Sequence, residues 1–425
     1  MTLIESAKQN QVRKEFEEVA KYEQVSVDFI MKGVASGEIV IPKNINRSLK
    51  IIRAVGKGLK TKINANIGTS PDHISIKEEI EKMNIAVKYG TDAVMDLSTG
   101  GNLINMRKDI LDKSPVMVGT VPIYQVASQT VRAKKKITQM DSEMMFDVVE
   151  QQAQEGVDFM TIHCGVNCET VNMLDRQPRF MGVVSRGGSF LVKWIKANKR
   201  ENPYYEQYDR LLKIAKKYDV TLSLGDGFRP GGNPDASDGP QLAELSILGE
   251  LALRARKEGV QVMIEGPGHI PLDQIQSNVI LAKRLTHNSP LYFLGPIVTD
   301  VAPGYDHITS AIGGAIAASY GVDFICYVTP SEHLRLPNVN DVKEGVIAAR
   351  IAAHSADIVK NINGAKQWDY EMSKYRKERN WEKQKELALD PLKVEQERAK
   401  IAPKLEDTCS MCGEFCSMRE ENENS

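Results

Sequence analysis

The hydrophobic and polar positions of this chain fall into three regimes. Between about Val12 and Gly37 they repeat with helical spacing, giving two short helices, VRKEFEEVAKYEQ and SVDFIMKGVAS. The second has Ser26 as N-cap and Asp28 in its first turn, and a short EIVIP strand follows. From about Lys62 onward, short β-rich runs end in Gly, Ser or Pro and give way to longer amphipathic stretches, the rhythm of βα units. The runs are TKINANIG, DAVMDLS, VMVGTVP, DFMTIHCG, GVVSRGG, TLSLGDG, VQVMIEGPG, LYFLGP and FICYVTP. They exceed an eight-stranded barrel by one, so one is a side ribbon or no strand at all. After about Val342 the chain turns helical and highly charged, through GVIAARIAAHSADIVKNI and WDYEMSKYRKERNWEKQKELAL. This reads as a helical bundle with solvated charges. Pro391 and Pro403 break that pattern, and the closing MREENENS reads as disordered. The expected organisation is an N-terminal domain over residues 1–58, an α/β barrel of the TIM type over 59–341, a helical domain over 342–398 and a flexible tail over 399–425.

Where the polar residues fall favours a closed barrel over an open doubly wound sheet. Nearly every run ends in a chemically capable side chain, and only a barrel brings such ends together at one mouth. Asn66, Met95, Tyr124, His163, Ser185, Arg186, Gly187, Asp226, Gly227, Phe228, Arg229, Glu265 and Tyr292 are therefore expected to ring it. No GxGxxG follows the first strand, so the dinucleotide fold has no fingerprint here.

Composition narrows the function classes. Lys and Arg number 55 against 56 Asp and Glu, a net charge of −1, and no basic block is dense enough to track a phosphate backbone. Nucleic acid is excluded as a partner on that ground. No apolar run approaches the roughly 20 residues of a membrane span, and the opening MTLIESAKQNQVRKEF turns polar too early for a signal peptide. A cytoplasmic protein is expected.

Three of the six cysteines, Cys409, Cys412 and Cys416, crowd into the tail DTCSMCGEFCSM. In a reducing compartment such clustering points to metal ligation. Gly413 gives the turn freedom to fold all three thiols inward. Three thiolates suit a [4Fe–4S] cluster with one open iron, and a structural zinc site is the other reading of the same spacing. Cys164, Cys168 and Cys326 lie near apolar segments and read as buried structural thiols. His269 in MIEGPGHIP and His333 in YVTPSEHLRLP each follow a strand. They would overhang the mouth as a zinc or ferrous pair with open positions, or else serve as hydrogen-bonding residues. SRGGS at Ser185 to Ser189 offers a hydroxyl, a guanidinium and glycine amides before a helix, which is what a phosphate requires, and DGFRP adds Arg229. Asp226 and Glu265 are left to hold an amine or hydroxyl, or to move a proton.

Taken together, NANIGTS, VMDLSTGG, VGTVPIYQ, VSRGGSF, LGDGFRPG, EGPGHIPLDQI, APGYDHITSAIGGA and the CSMCGEFC tail resemble the thiamin pyrimidine synthase family, ThiC, over almost the whole chain. The resemblance implies a homodimeric barrel whose mobile C-terminal cluster reaches an active site, commonly that of the partner subunit. It implies a radical S-adenosylmethionine lyase acting on 5-aminoimidazole ribotide, with an electron donor of the flavodoxin or ferredoxin type. Carried over, Cys409, Cys412 and Cys416 would hold the [4Fe–4S] cluster, with S-adenosylmethionine on its open iron. His269 and His333 would bind a second metal, zinc or iron. Asn66, Met95, Tyr124, His163, Ser185, Arg186, Gly187, Asp226 to Arg229, Glu265 and Tyr292 would line the ribotide.

Two branches share that fold and substrate, one making hydroxymethylpyrimidine phosphate for thiamin and the other 5-hydroxybenzimidazole for cobalamin. The cysteine spacing C-x2-C-x3-C matches short anaerobic-type members. RPGGNPDASDG, HLRLP, CGVNCE and Phe228 depart from what thiamin enzymes lead one to expect near the ribotide, and on these the reading leans to 5-hydroxybenzimidazole. The rival from another class is a His-metal barrel hydrolase with a structural zinc tail. A non-catalytic ribotide binder would have no use for the intact cysteine triad.

Overall fold

A computed structural model describes residues 1–419. The described residues divide into two compact units, 1–357 and those from 358 onward. In the first, eight parallel strands close on themselves in chain order: β3 (Lys62–Ile67), β4 (Ala93–Asp96), β5 (Met117–Thr120), β6 (Phe159–Ile162), β7 (Thr221–Leu224), β8 (Val262–Gly266), β9 (Leu291–Leu294) and β10 (Phe324–Cys326), which pairs back onto β3. Their residues are almost all buried, inward and outward alike, because helices cover the outside and side chains fill the inside. In the centre, Phe324 stacks on Tyr292 at 4.4 Å and meets Phe159 edge-on at 6.2 Å.

The ninth expected strand, GVVSRGG, is not one. Gly182 takes a left-handed φ of 69°, and Ser185 caps the helix Arg186–Asn198 by accepting the Gly188 N–H at 3.2 Å. Apolar Val183 and Val184 mimic a strand in sequence, but a capping serine followed by the open first turn of a helix wins locally.

The polypeptide before the barrel packs onto its amino-terminal end. Beside the two expected helices, Lys14–Glu23 and Val27–Ser36, a third forms at Leu3–Lys8, closed by a capping box between Thr2 and Glu5. Ser26 caps its helix as expected, accepting from Phe29 N at 3.1 Å. The EIVIP segment contributes β1 (Ile39–Val40), antiparallel to β2 (Val55–Gly56). This layer is pinned to the barrel by buried polar contacts. Lys62 Nζ, at the start of β3, meets Glu23 Oε1 at 2.8 Å, and Asn44 N donates to Asp158 Oδ1 at 3.1 Å.

The helix Val339–Val359 is followed in the second unit by helices Ala365–Lys377, Trp381–Leu387 and Pro391–Lys400. The helical pattern does break before Pro391, between Leu387 and Asp390, but Pro391 then opens a further helix, with Asp390 capping Lys393 N at 3.1 Å, since a first-turn proline forfeits no helical hydrogen bond. Of the disordered ending read from MREENENS, residues 420–425 lie outside the described residues. Among the described residues no helix is long and apolar enough to cross a membrane.

Candidate active site

The carboxyl ends of the strands surround a cavity of about 400 Å³, and of the residues expected at the mouth, Asn66, Tyr124, Arg186, Arg229, His269 and His333 line it. A second cavity of about 300 Å³ shares Asn66, Arg186 and His333 with it and extends over Lys82 and Arg335. Tyr124 comes not from a strand end but from the first turn of the helix Pro122–Arg132, and the Arg186 guanidinium lies 5.0 Å above its ring.

The other expected residues stand behind this surface and hold it in shape. His163, just past β6, is fully buried; its Nε2 is 3.2 Å from Ser185 Oγ, while its Nδ1 has no partner. Burial and the nearby Arg229 lower its pKa to about 3, so the ring is neutral. Gly187 sits flat on that ring, where an added Cβ would come within 2.3 Å of His163 Cε1. Glu265 on β8 accepts from Thr161 Oγ1 at 2.5 Å and Ser223 Oγ at 2.9 Å, and burial raises its pKa. Asp226 is buried, its Oδ1 3.3 Å from Arg229 Nη1 and its Oδ2 unpartnered; burial drives its carboxyl well above the usual range.

Met95 and Tyr292 lie deeper, within the barrel. The Tyr292 hydroxyl donates to Met95 Sδ at 3.4 Å and accepts from Asn64 Nδ2 at 2.8 Å. The Phe228 side chain is in the core, and only its backbone belongs to the loop at the mouth.

The two histidines come together, their ring centroids 5.2 Å apart. Each is backed by a carboxylate that the sequence reading missed. His269 Nδ1 meets Asp300 Oδ1 at 2.8 Å, and His333 Nδ1 lies 3.8 Å from Asp306 Oδ1. A carboxylate behind Nδ1 fixes the ring and leaves Nε2 for a metal, so this donor set fits a divalent ion. Burial keeps His269 on the neutral, ligating side despite Asp300. The TDVAPGYDH stretch that supplies both carboxylates offered a signal in its two acids spaced between the histidines.

Cys326 corrects the structural-thiol reading in part. It is buried, but it borders the main cavity and its Sγ accepts from Asn66 Nδ2 at 3.2 Å; burial pushes its pKa up to about 11. Cys164 is buried as expected, whereas Cys168 is only half-buried, at the start of a surface helix.

In the tail, Cys409 is half-buried, Cys412 exposed and Cys416 buried. Among the described residues no three His, Cys, Asp or Glu side chains are gathered as a metal site, while the Cys409 and Cys412 side chains interact. Thiolate sites are generally drawn together by the metal they bind. The local chemistry nonetheless suits iron ligation: backbone N–H groups of Cys412 and Met411 lower the Cys409 pKa, and Gly413 turns at φ 54° with open space around it.

Comparison with known proteins places this geometry. Residues 2–423 match the radical SAM ThiC family. A phosphomethylpyrimidine synthase of a Thermoanaerobacter species is 58% identical over 419 residues, covering 99% of this chain and 97% of that one. Those of Moorella thermoacetica, at 55% with 99% and 97% covered, and Geobacter metallireducens, at 54% with 98% and 96% covered, are similar over the same span. The hydrolase reading of the barrel, with its structural zinc tail, falls with this finding. The chain belongs to the radical SAM ThiC family and is an enzyme that uses a [4Fe–4S] cluster, S-adenosylmethionine and a reductant to rearrange a small molecule.

Proposed function

We propose that this enzyme is a phosphomethylpyrimidine synthase, converting 5-aminoimidazole ribotide to the phosphorylated pyrimidine of thiamin. The observation that carries the reading is one cavity lined by two guanidinium groups, Arg186 and Arg229, and by a carboxylate-backed histidine pair. The relatives named above carry the pyrimidine activity in their names, and nothing in them favours 5-hydroxybenzimidazole. Of the sequence departures that suggested the benzimidazole branch, Phe228 is a core residue that does not line the cavity, whereas Pro230 and Gly231 line it and Arg335 lines the second cavity.

Cys409, Cys412 and Cys416 would hold the cluster, which with S-adenosylmethionine supplies a 5′-deoxyadenosyl radical for hydrogen abstraction. Arg186 and Arg229 bind the phosphate of the ribotide, helped by the amino end of the helix Arg186–Asn198. Tyr124 packs beneath the Arg186 guanidinium and excludes water from it. Glu265, oriented by Thr161 and Ser223 behind the cavity wall, supports the Arg229 guanidinium electrostatically. His163 stays neutral and keeps Ser185 aimed into the loop that carries Arg186. His269 and His333 would hold a zinc or ferrous ion, which would supply Lewis-acid polarisation at the cavity. The reading extends to a homodimer in the reducing cytoplasm served by a flavodoxin or ferredoxin.

The test is anaerobic incubation of reconstituted enzyme with 5-aminoimidazole ribotide, S-adenosylmethionine and dithionite, with products resolved by chromatography and mass spectrometry. A phosphorylated pyrimidine is expected. A phosphate-free benzimidazole would move the enzyme to the cobalamin branch, and 5′-deoxyadenosine with neither product would mean the substrate is misassigned.

A further inference from the structure

The loop 226–229 carries Asp226 and Arg229 into the site, and two buried side chains grip its backbone. Glu244, on the helix Gly239–Glu258, accepts the N–H of Gly227 on Oε1 at 2.9 Å and that of Phe228 on Oε2 at 2.7 Å. Arg179 donates to the carbonyl oxygens of Phe228 and, at 3.1 Å, of Arg229. Its guanidinium is held in turn by Asp238, at 2.6 Å through Nε and 2.7 Å through Nη2.

Neither Glu244 nor Arg179 lines the main cavity. A tight loop ordinarily satisfies its own backbone groups or leaves them to water. Committing a buried acid and a buried guanidinium to four of them is costly in desolvation, and it fixes the path of the loop. That path is also registered against the second arginine. Gly227 packs on Gly188, where an added Cβ would lie 2.4 Å from Gly227 O, and Gly188 is in the first turn of the helix that Arg186 opens.

We propose that Glu244 and Arg179 are positioning residues for the phosphate end of the substrate, clamping the 226–229 backbone so that Arg229 and Arg186 act on one anion. The proposal rests on the ribotide reading of the cavity.

Glu244→Gln puts an NH2 group against a backbone N–H and displaces the loop, while Arg179→Lys keeps the charge but loses the forked donor. Titration calorimetry compares 5-aminoimidazole ribotide with its phosphate-free riboside on the reconstituted wild type and both variants. Each variant is expected to bind the ribotide about ten- to a hundredfold more weakly, the effect of stranding buried hydrogen-bonding groups, with riboside affinity unchanged. Equal weakening of both ligands makes the clamp merely structural and overturns the proposal, as does unchanged ribotide affinity. Wild-type enzyme that binds ribotide and riboside alike overturns the underlying reading instead, and the proposal with it. Should Glu244→Gln fail to fold, Arg179→Lys decides the matter by the same comparison.

Discussion

His269 and Asp300 are joined at 2.8 Å between Nδ1 and Oδ1, and the carboxylate stands on the side of the ring away from the nitrogen a metal would use. The neighbouring His333 repeats the arrangement more loosely with Asp306, whose Oδ2 is buried without a partner. Two rings with centroids 5.2 Å apart, each backed by a carboxylate, are what the proposed divalent-metal site would need.

Asp300→Asn is therefore expected to weaken divalent metal binding about 10- to 100-fold, because the amide neither orients the imidazole as firmly nor raises its basicity. His269→Ala should abolish binding at that site. Zinc titration of chelator-treated protein against a competing dye measures both. Wild-type affinity in Asp300→Asn would mean that the carboxylate serves only the fold.

The acid side of the stability profile should carry the mark of His163. Its folded pKa of about 3 lies below the ordinary 6.5. Between those values the unfolded chain binds a proton that the native state refuses. The contribution is complete above pH 6.5 and is lost as pH falls toward 3, at about 1.4 kcal/mol per pH unit. His163→Gln removes one proton from that slope. Urea midpoints of the wild type and the variant at pH 7 and pH 5.5 should converge toward the acid side, and parallel profiles would contradict a buried neutral imidazole.

Much of the barrel was legible because buried parallel strands read as short continuous apolar runs, each punctuated by the glycines and prolines of a βα loop. The segment at Val183 and Val184 misled because two β-branched residues before a glycine-rich stretch look alike in a strand and in a helix entrance; only the Ser185 cap distinguishes them. The mouth residues were legible in type but not in depth. Sequence order places Met95, Glu265 and Tyr292 on strands, while how far along the barrel axis each side chain sits depends on strand register, which no local pattern encodes. Asp300, Asp306 and Glu244 were missed because they act through other groups, and a carboxylate in a loop or helix carries no mark of the partner it will meet.

Contact between the two arginine-bearing loops can be tested at Gly188. An added methyl there meets the backbone oxygen of Gly227, which cannot rotate away as a side chain could. Gly188→Ala should raise the ribotide KM at least about tenfold and cost about 1–3 kcal/mol of stability, as overpacking against backbone does. Steady-state kinetics under anaerobic conditions with a parallel thermal melt separates the two effects. A wild-type KM would show that the loops move independently.

The amino-terminal end of the barrel carries a buried ion pair. Lys62 Nζ and Glu23 Oε1 are 2.8 Å apart, and both side chains are almost wholly removed from water. Burial works against the Lys62 charge, but Glu23 and Asp92 outweigh it and raise its pKa. Such a pair is a poor source of net stability compared with two apolar side chains, yet breaking half of it strands a charge. Lys62→Met should therefore destabilise the first unit by about 3–5 kcal/mol, and adding Glu23→Leu should return most of that loss. Urea denaturation of the single and double variants measures the difference. The pairing matters to the fold because Glu23 ends the second N-terminal helix and Lys62 begins the first barrel strand, so the ion pair sets the seat of one upon the other. If the double variant is no more stable than Lys62→Met alone, the two groups are not a pair in energy, whatever their distance.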